Sequence, residues 1–124
     1  MEKRFKILVV DDDVDTLTVL TDLLAEHGYD VVTAVDGVEG MKTATEERPD
    51  LALVDTPLPK MDGYEVCRRI KEMKGLDAGV IMFTAYGDAV NVAKAREVGA
   101  DDFLAKTEDF ANMHRAIKKL LGEK

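Results

Sequence analysis

The chain has 124 residues, 46% hydrophobic and 34% charged, with a formal net charge of -8 at pH 7. That length fits one domain able to bury a core without staples, and the acidity disfavours nonspecific nucleic-acid binding. Cys67 is the sole cysteine, which excludes an internal disulfide and fits a reducing compartment. No apolar run is long enough for a membrane span, and no signal-peptide pattern precedes the first apolar run, so no membrane insertion is expected.

Hydrophobic periodicity switches repeatedly between short continuous runs and helical spacing. Lys6–Val10 is the first predicted strand. A helix follows over about Val14–His27, with Asp13 as N-cap, Gly28 as its stop and Val14, Leu17, Leu20 and Leu24 as its apolar stripe. Tyr29–Ala34 is the second strand, and about Val38–Glu47 the second helix, closed before Pro49. Leu51–Asp55 is the third strand. It has no polar residue before its end, as expected of a central parallel strand buried on both faces.

The segment Thr56–Gly63 carries Pro57, Pro59 and Gly63 and is the clearest turn signal. Tyr64–Met73 is the third helix, with Val66, Ile70 and Met73 inward. Gly79–Thr84 is the fourth strand. Asp88–Val98 is the fourth helix, on whose inward face Ala89, Val90 and Ala93 dominate. Side chains this small imply loose packing and freedom to move. Gly99 ends it, Asp102–Ala105 is the last strand, and about Asp109–Leu121 is the last helix, with Phe110, Met113, Ile117, Leu120 and Leu121 on one face. Five strands alternating with five helices predict an α/β fold, a doubly wound parallel sheet with helices on both faces.

Polar groups stand at the carboxyl ends of these strands. Asp11, Asp12 and Asp13 follow the first strand, Asp55 ends the third, Thr84 ends the fourth and Lys106 follows the last. Ligands of open α/β sheets bind at that edge. A carboxylate at the mouth of a buried strand can attack a phosphoryl group to give an acyl phosphate. The reacting charges repel, so the attack needs a divalent cation held by carboxylates, which Asp11 and Asp12 can supply. Thr84 can hydrogen-bond a phosphoryl oxygen and Lys106 can pair with another.

These residues carry a resemblance. The Asp11-Asp12 pair, Asp55 with Pro59 four residues on, Met61-Asp62-Gly63, Thr84-Ala85-Tyr86-Gly87 and the run from Gly99 to Lys106 occur in order and at matching separations. With them the chain resembles the receiver domain of bacterial two-component response regulators over its whole length. The resemblance implies a single flavodoxin-like (CheY-like) domain with strand order 2-1-3-4-5. It implies that Asp55 accepts phosphate from a sensor histidine kinase or histidine phosphotransfer protein. Asp12, Asp55 and the carbonyl of Pro57 would ligate Mg²⁺ (or Mn²⁺), with Asp11 acting mainly through a metal-bound water. Thr84 and Lys106 would contact the phosphoryl group. Phe103 matches the aromatic switch position, and the face built by the fourth helix, last strand and last helix would signal to an output protein or domain. The resemblance further implies a cytoplasmic phosphoacceptor, with self-phosphotransfer and self-dephosphorylation but no external substrate.

Two positions depart from the pattern. Thr107 follows Lys106 where the family has a proline joined by a cis bond. A cis bond before a non-proline residue costs about 2.5–4 kcal/mol, so a trans Lys106–Thr107 bond is expected. Pro57 keeps a carbonyl for a metal but has no N–H for the phosphate, which implies an altered phosphoryl lifetime. Lys60 stands where glycine is common and adds a charge near the mouth.

Competing readings are weaker. Asp13 reads as a helix cap, not a ligand. Asp11, Asp13 and Asp15 imitate a calcium loop, but the required Gly and Glu are missing and a strand precedes them. A flavin-binding carrier would set three aspartates against the FMN phosphate. A phosphatase would need a second Asp two residues beyond Asp55. A degenerate receiver acting only as a binding module is the remaining alternative. His27 and His114 read as surface residues, Cys67 as packing, Asp62 as shaping the turn into the third helix, and Arg68, Arg69, Lys71 and Lys74 as a solvated face.

Overall fold

Strand and helix alternate through the whole computed structural model, which describes residues 4–56, 58, 60–84, 90–106 and 109–122. The elements are β1 (Lys6–Val10), α1 (Val14–Glu26), β2 (Asp30–Ala34), α2 (Gly37–Glu47), β3 (Leu51–Asp55), α3 (Gly63–Glu72), β4 (Gly79–Thr84), α4 (Val90–Glu97), β5 (Asp102–Ala105) and α5 (Phe110–Leu121). All strand pairs are parallel, in the order β2-β1-β3-β4-β5. The chain reverses direction across the sheet between β1 and β3, so the residues after those two strands flank the switch point.

Strand side chains alternate between two cores, as the pleat requires. Leu8, Val10, Ala52, Val54, Val80 and Met82 meet Ala44, Val66, Ile70 and Ala95 of α2, α3 and α4. Ile7, Val9, Leu51, Leu53, Ile81 and Phe83 meet Leu17, Leu20, Leu24, Met113 and Ile117 of α1 and α5. All five residues of β3 are buried, so its apolar run reflects burial on both faces. Each core side chain removed from water contributes about 1.5–3 kcal/mol before entropy is counted.

Aspartates start four helices. Asp13, Asp36, Asp62 and Asp109 each accept a backbone N–H of the first turn and satisfy a donor that the helix cannot. Capping by Asp36 and Asp62 starts α2 and α3 at glycines one residue before the sequence-based starts. β2 likewise begins at Asp30, one residue after the expected Tyr29, which is buried.

Several expectations need correction. Val14 does not join the α1 stripe and is 64% exposed at the first helical position. On α4 the buried residue is Ala95, not Ala93, which is exposed. Side chains this small give too weak a periodicity to fix the rotation of a helix. Ala89 and the side chain of Val90 lie outside the described residues. His27 is exposed as expected and His114 is half-buried, but the two are not separate: their rings sit 4.3 Å apart, Phe110 packs on both, and Tyr29 Oη lies 3.2 Å from His114 Nε2. Lys71 does more than line a solvated face, since its ammonium donates to Asp101 at 2.9 Å and to the Ala78 carbonyl at 3.1 Å.

Candidate functional site

β1, β3, β4 and β5 deliver their terminal polar residues to one edge of the sheet. Hydrogen-bonded register puts Val10 beside Val54, Asp55 beside Phe83 and Thr84 beside Ala105. The strand ends are therefore level, and the residues following them meet. Asp11 is wholly buried, Asp55 is 5% exposed and Thr84 is 2% exposed, whereas Asp12 stands at the open mouth. One carboxylate oxygen from each of Asp11, Asp12 and Asp55 lies within 4.8 Å of the others. Asp13 and Asp15 are not in this group. Asp13 caps α1, accepting from the Asp15 N–H and the Thr16 hydroxyl.

Lys106 binds the acidic group together. Its ammonium is 2.7 Å from Asp11 Oδ2 and 3.2 Å from Asp55 Oδ2, and lies 5.2 Å from the centre of the Phe83 ring. The other oxygens are held by the backbone: Asp11 Oδ1 accepts the Asp13 N–H at 2.9 Å, and Asp55 Oδ1 accepts the Thr56 N–H at 2.8 Å. Asp11 Oδ2 is ion-paired with the ammonium, and among the described residues it is a buried acceptor with no partner beyond that contact. Burial, then the charge of Asp11, push the Asp55 carboxyl up to about 7 against the opposing pull of Lys106. Burial disfavours charge on Lys106, but its hydrogen bond to Asp11 and the charges of both carboxylates outweigh that and raise its pKa.

This donor set fits a small hard cation. Three carboxylates with an incompletely satisfied buried oxygen, open to water on the Asp12 side, match the mixed carboxylate and water coordination that Mg²⁺ favours. Asp11, Asp12 and Asp55 are the described residues able to hold it. Pro57, whose carbonyl was expected as a further ligand, lies outside the described residues, as does Thr107.

Thr84 is already engaged. Its hydroxyl donates to the Thr56 carbonyl at 3.0 Å, and its carbonyl accepts the Lys106 N–H at 2.6 Å. Phe103 is half-buried on β5 and lines a cavity of about 240 Å³ with Val92, Ala95, Arg96 and Ala100 of the α4 region. Gly63 plays a part that its turn propensity alone did not reveal. A Cβ there would stand 2.1 Å from the Asp55 carbonyl oxygen, so the start of α3 touches the backbone of the central aspartate. Just before it in the chain, Asp62 Oδ1 accepts the Tyr64 N–H at 2.8 Å, as expected of a turn-shaping residue. Cys67 is buried packing, and burial raises its thiol to about 12.

The model of the response regulator receiver domain family matches residues 7–118. The chain is 40% identical over 116 residues to the alkaline phosphatase synthesis transcriptional regulatory protein PhoP of Bacillus subtilis, covering 94% of this chain and 48% of that protein. It thus spans about half the length of that relative. A CheY-like response regulator receiver domain protein from Methanospirillum hungatei superposes with a TM-score of 0.90 at 30% identity, over 97% of this chain and 95% of the other. The receiver domain of a sensor histidine kinase from Pseudomonas aeruginosa, solved with a magnesium ion coordinated in its active-site cleft, superposes with a TM-score of 0.87. The two are 29% identical, and 98% and 100% of the chains are covered.

Proposed function

We propose, from the premise that this chain belongs to the response regulator receiver domain family of two-component systems, that Asp55 takes a phosphoryl group from a histidine and thereby switches a signalling surface. The observation carrying this is the convergence of the Asp11, Asp12 and Asp55 carboxylates within 4.8 Å with the Lys106 ammonium on two of them. The donor is a phosphohistidine on a sensor histidine kinase or histidine phosphotransfer protein. An Asp55 carboxylate oxygen forms the P–O bond as the P–N bond breaks, and the bonding pair returns to the imidazole.

Asp12, Asp55 and the Pro57 carbonyl, with Asp11 mainly through a bound water, would hold Mg²⁺, which would neutralise charge during transfer. Lys106 already faces Asp55 and can follow the negative charge outward to a phosphoryl oxygen. Thr84 must give up its hydrogen bond to the Thr56 carbonyl to reach another. Its carbonyl is bonded to the Lys106 N–H, so the ends of β4 and β5 move together. Space beside Phe103 under α4 lets the ring turn inward, altering the α4-β5-α5 face that an output protein or domain reads. Water attack on the acyl phosphate resets the domain. No helix among the described residues is long and apolar enough to cross a membrane. We place the protein in the cytoplasm with its kinase, and expect no direct nucleic-acid contact from this chain.

Incubation with Mg²⁺ and acetyl phosphate, followed by intact-mass measurement, tests this reading. A gain of one phosphate in the wild type and none in Asp55→Asn is expected. No gain with any donor would favour a binding module without phosphoryl chemistry.

A further inference from the structure

Lys60 has a positive φ of 67°, in the left-handed region that L side chains rarely adopt. Glycine would sit there without strain, so the lysine needs an offsetting interaction. Its ammonium lies 3.5 Å from Asp36 Oδ2, and that carboxylate side chain is only 12% exposed. Asp36 also caps α2: its Oδ1 accepts the Glu39 N–H at 2.7 Å, while Glu39 Oε1 accepts the Val35 N–H at 3.1 Å. The Glu39 N–H fixes one oxygen of the Asp36 carboxylate and leaves the other to Lys60. The Glu39 N–H, followed by the Lys60 charge, holds Asp36 below the usual carboxylate range.

A backbone contact lies beside the ion pair. A Cβ on Gly37 would be 2.2 Å from the Met61 carbonyl oxygen, so the first turn of α2 touches the residue after Lys60. Past Met61, Asp62 accepts from the Thr56 hydroxyl at 3.4 Å, and Gly63 abuts the Asp55 carbonyl. A continuous set of contacts thus runs from the α2 cap through Lys60, Met61, Asp62 and Gly63 to Asp55 and Thr56. The carboxylates that would take a cation or phosphoryl group include Asp55, the far end of that set.

We propose that Lys60 is a positioning residue for the Asp55 pocket, its ion pair with Asp36 fastening the segment after Asp55 to the N-cap of α2. This rests on the phosphoacceptor reading above and adds to it a residue that touches neither metal nor phosphate. Loosening the pair lets residues 60–63 shift against the Asp55 backbone and weakens the cation site. An ion pair this exposed at one end is modest in strength and screened by salt, so the expected effect is partial.

The test compares Lys60→Gly, Lys60→Ala, Lys60→Arg and Asp36→Asn with the full wild-type chain. Mg²⁺ affinity is read by calorimetry, phosphorylation rate by intact mass with acetyl phosphate at subsaturating Mg²⁺, and stability by urea unfolding. Lys60→Gly relieves the backbone strain, and Asn retains the α2 cap. The expected result is an affinity and rate about threefold lower in Lys60→Gly, Lys60→Ala and Asp36→Asn, recovery in Lys60→Arg, and no loss of stability in Lys60→Gly. Wild-type affinity and rate in Lys60→Gly, or losses that merely follow stability across the set, would overturn the proposal. A wild-type chain that gains no phosphate sinks the phosphoacceptor reading and this proposal together. A wild type that gains it, with a Lys60→Gly indistinguishable from it, sinks the positioning role alone.

Discussion

At the scale of the residue, Asp55 is held against its own charge by its surroundings. Burial and the neighbouring Asp11 carboxylate favour its protonated form, so its folded pKa of about 7 lies above the ordinary value of 3.8. The folded state then binds more protons than the unfolded state between those two values, and stability falls as pH rises from about 4 to 7. Asp55→Asn removes the burden. In the absence of metal it should raise stability by about 1–3 kcal/mol at pH 8, with the gain shrinking towards zero near pH 4. Urea unfolding at the two pH values checks this, and an equal effect at both would show that ionisation of Asp55 is not the cause. Gly63 carries a different constraint. The Cβ of Gly63→Ala would lie 2.1 Å from the Asp55 carbonyl, and accommodating it should cost about 1–3 kcal/mol. Mg²⁺ affinity should fall with it, because the displaced backbone is that of Asp55.

Among the elements, α4 and α5 contrast most. The last helix carries an Asp109 cap, a Gly122 stop with φ 73° and buried Met113 and Ile117. On α4, Ala95 is the buried residue among the described side chains. Its contact with β5 includes the cavity beside Phe103. Little apolar area resists its opening, so amide hydrogen exchange over Lys94–Glu97 should be faster than over Met113–Ile117. Equal protection in the two helices would remove the idea that α4 is the yielding element of the switch. Asp109→Ala should destabilise the domain by about 1 kcal/mol through loss of the Asn112 N–H acceptor, with the unfolding midpoint as readout. Asp109 is not one of the three converging carboxylates, and Mg²⁺ affinity should change little.

For the whole molecule, a cation held at the carboxylates would link metal binding, protonation and stability in one equilibrium. A cation that binds only the folded state stabilises it by mass action, about 2.7 kcal/mol at a hundredfold excess over Kd. Asp55 must lose its proton to ligate, so Mg²⁺ should raise the melting temperature more at pH 8 than at pH 6. Asp55→Asn should abolish most of that difference, and a pH-independent rise in the wild type would separate the binding site from Asp55. Much of this was legible in the sequence. Five apolar runs, four of them ending in aspartate, threonine or followed by lysine, fixed the strands and the residues at their ends, because a buried parallel strand must be apolar until it reaches solvent. Charge and turn chemistry likewise gave Asp13 as a cap and Asp62 at the entry to α3. What a linear pattern does not hold is the distance between residues far apart in sequence. The contact of Lys106 with Asp11, the Thr84 hydroxyl on the Thr56 carbonyl, the pairing of His27 with His114 and the tie from Lys60 to Asp36 all arise from the order and register of the sheet. The amino-acid sequence by itself determined which groups reach the carboxyl edge. Tertiary structure alone decided which of them touch, and hence which carboxyl is pushed towards its protonated form, because contact and desolvation depend on packing in space.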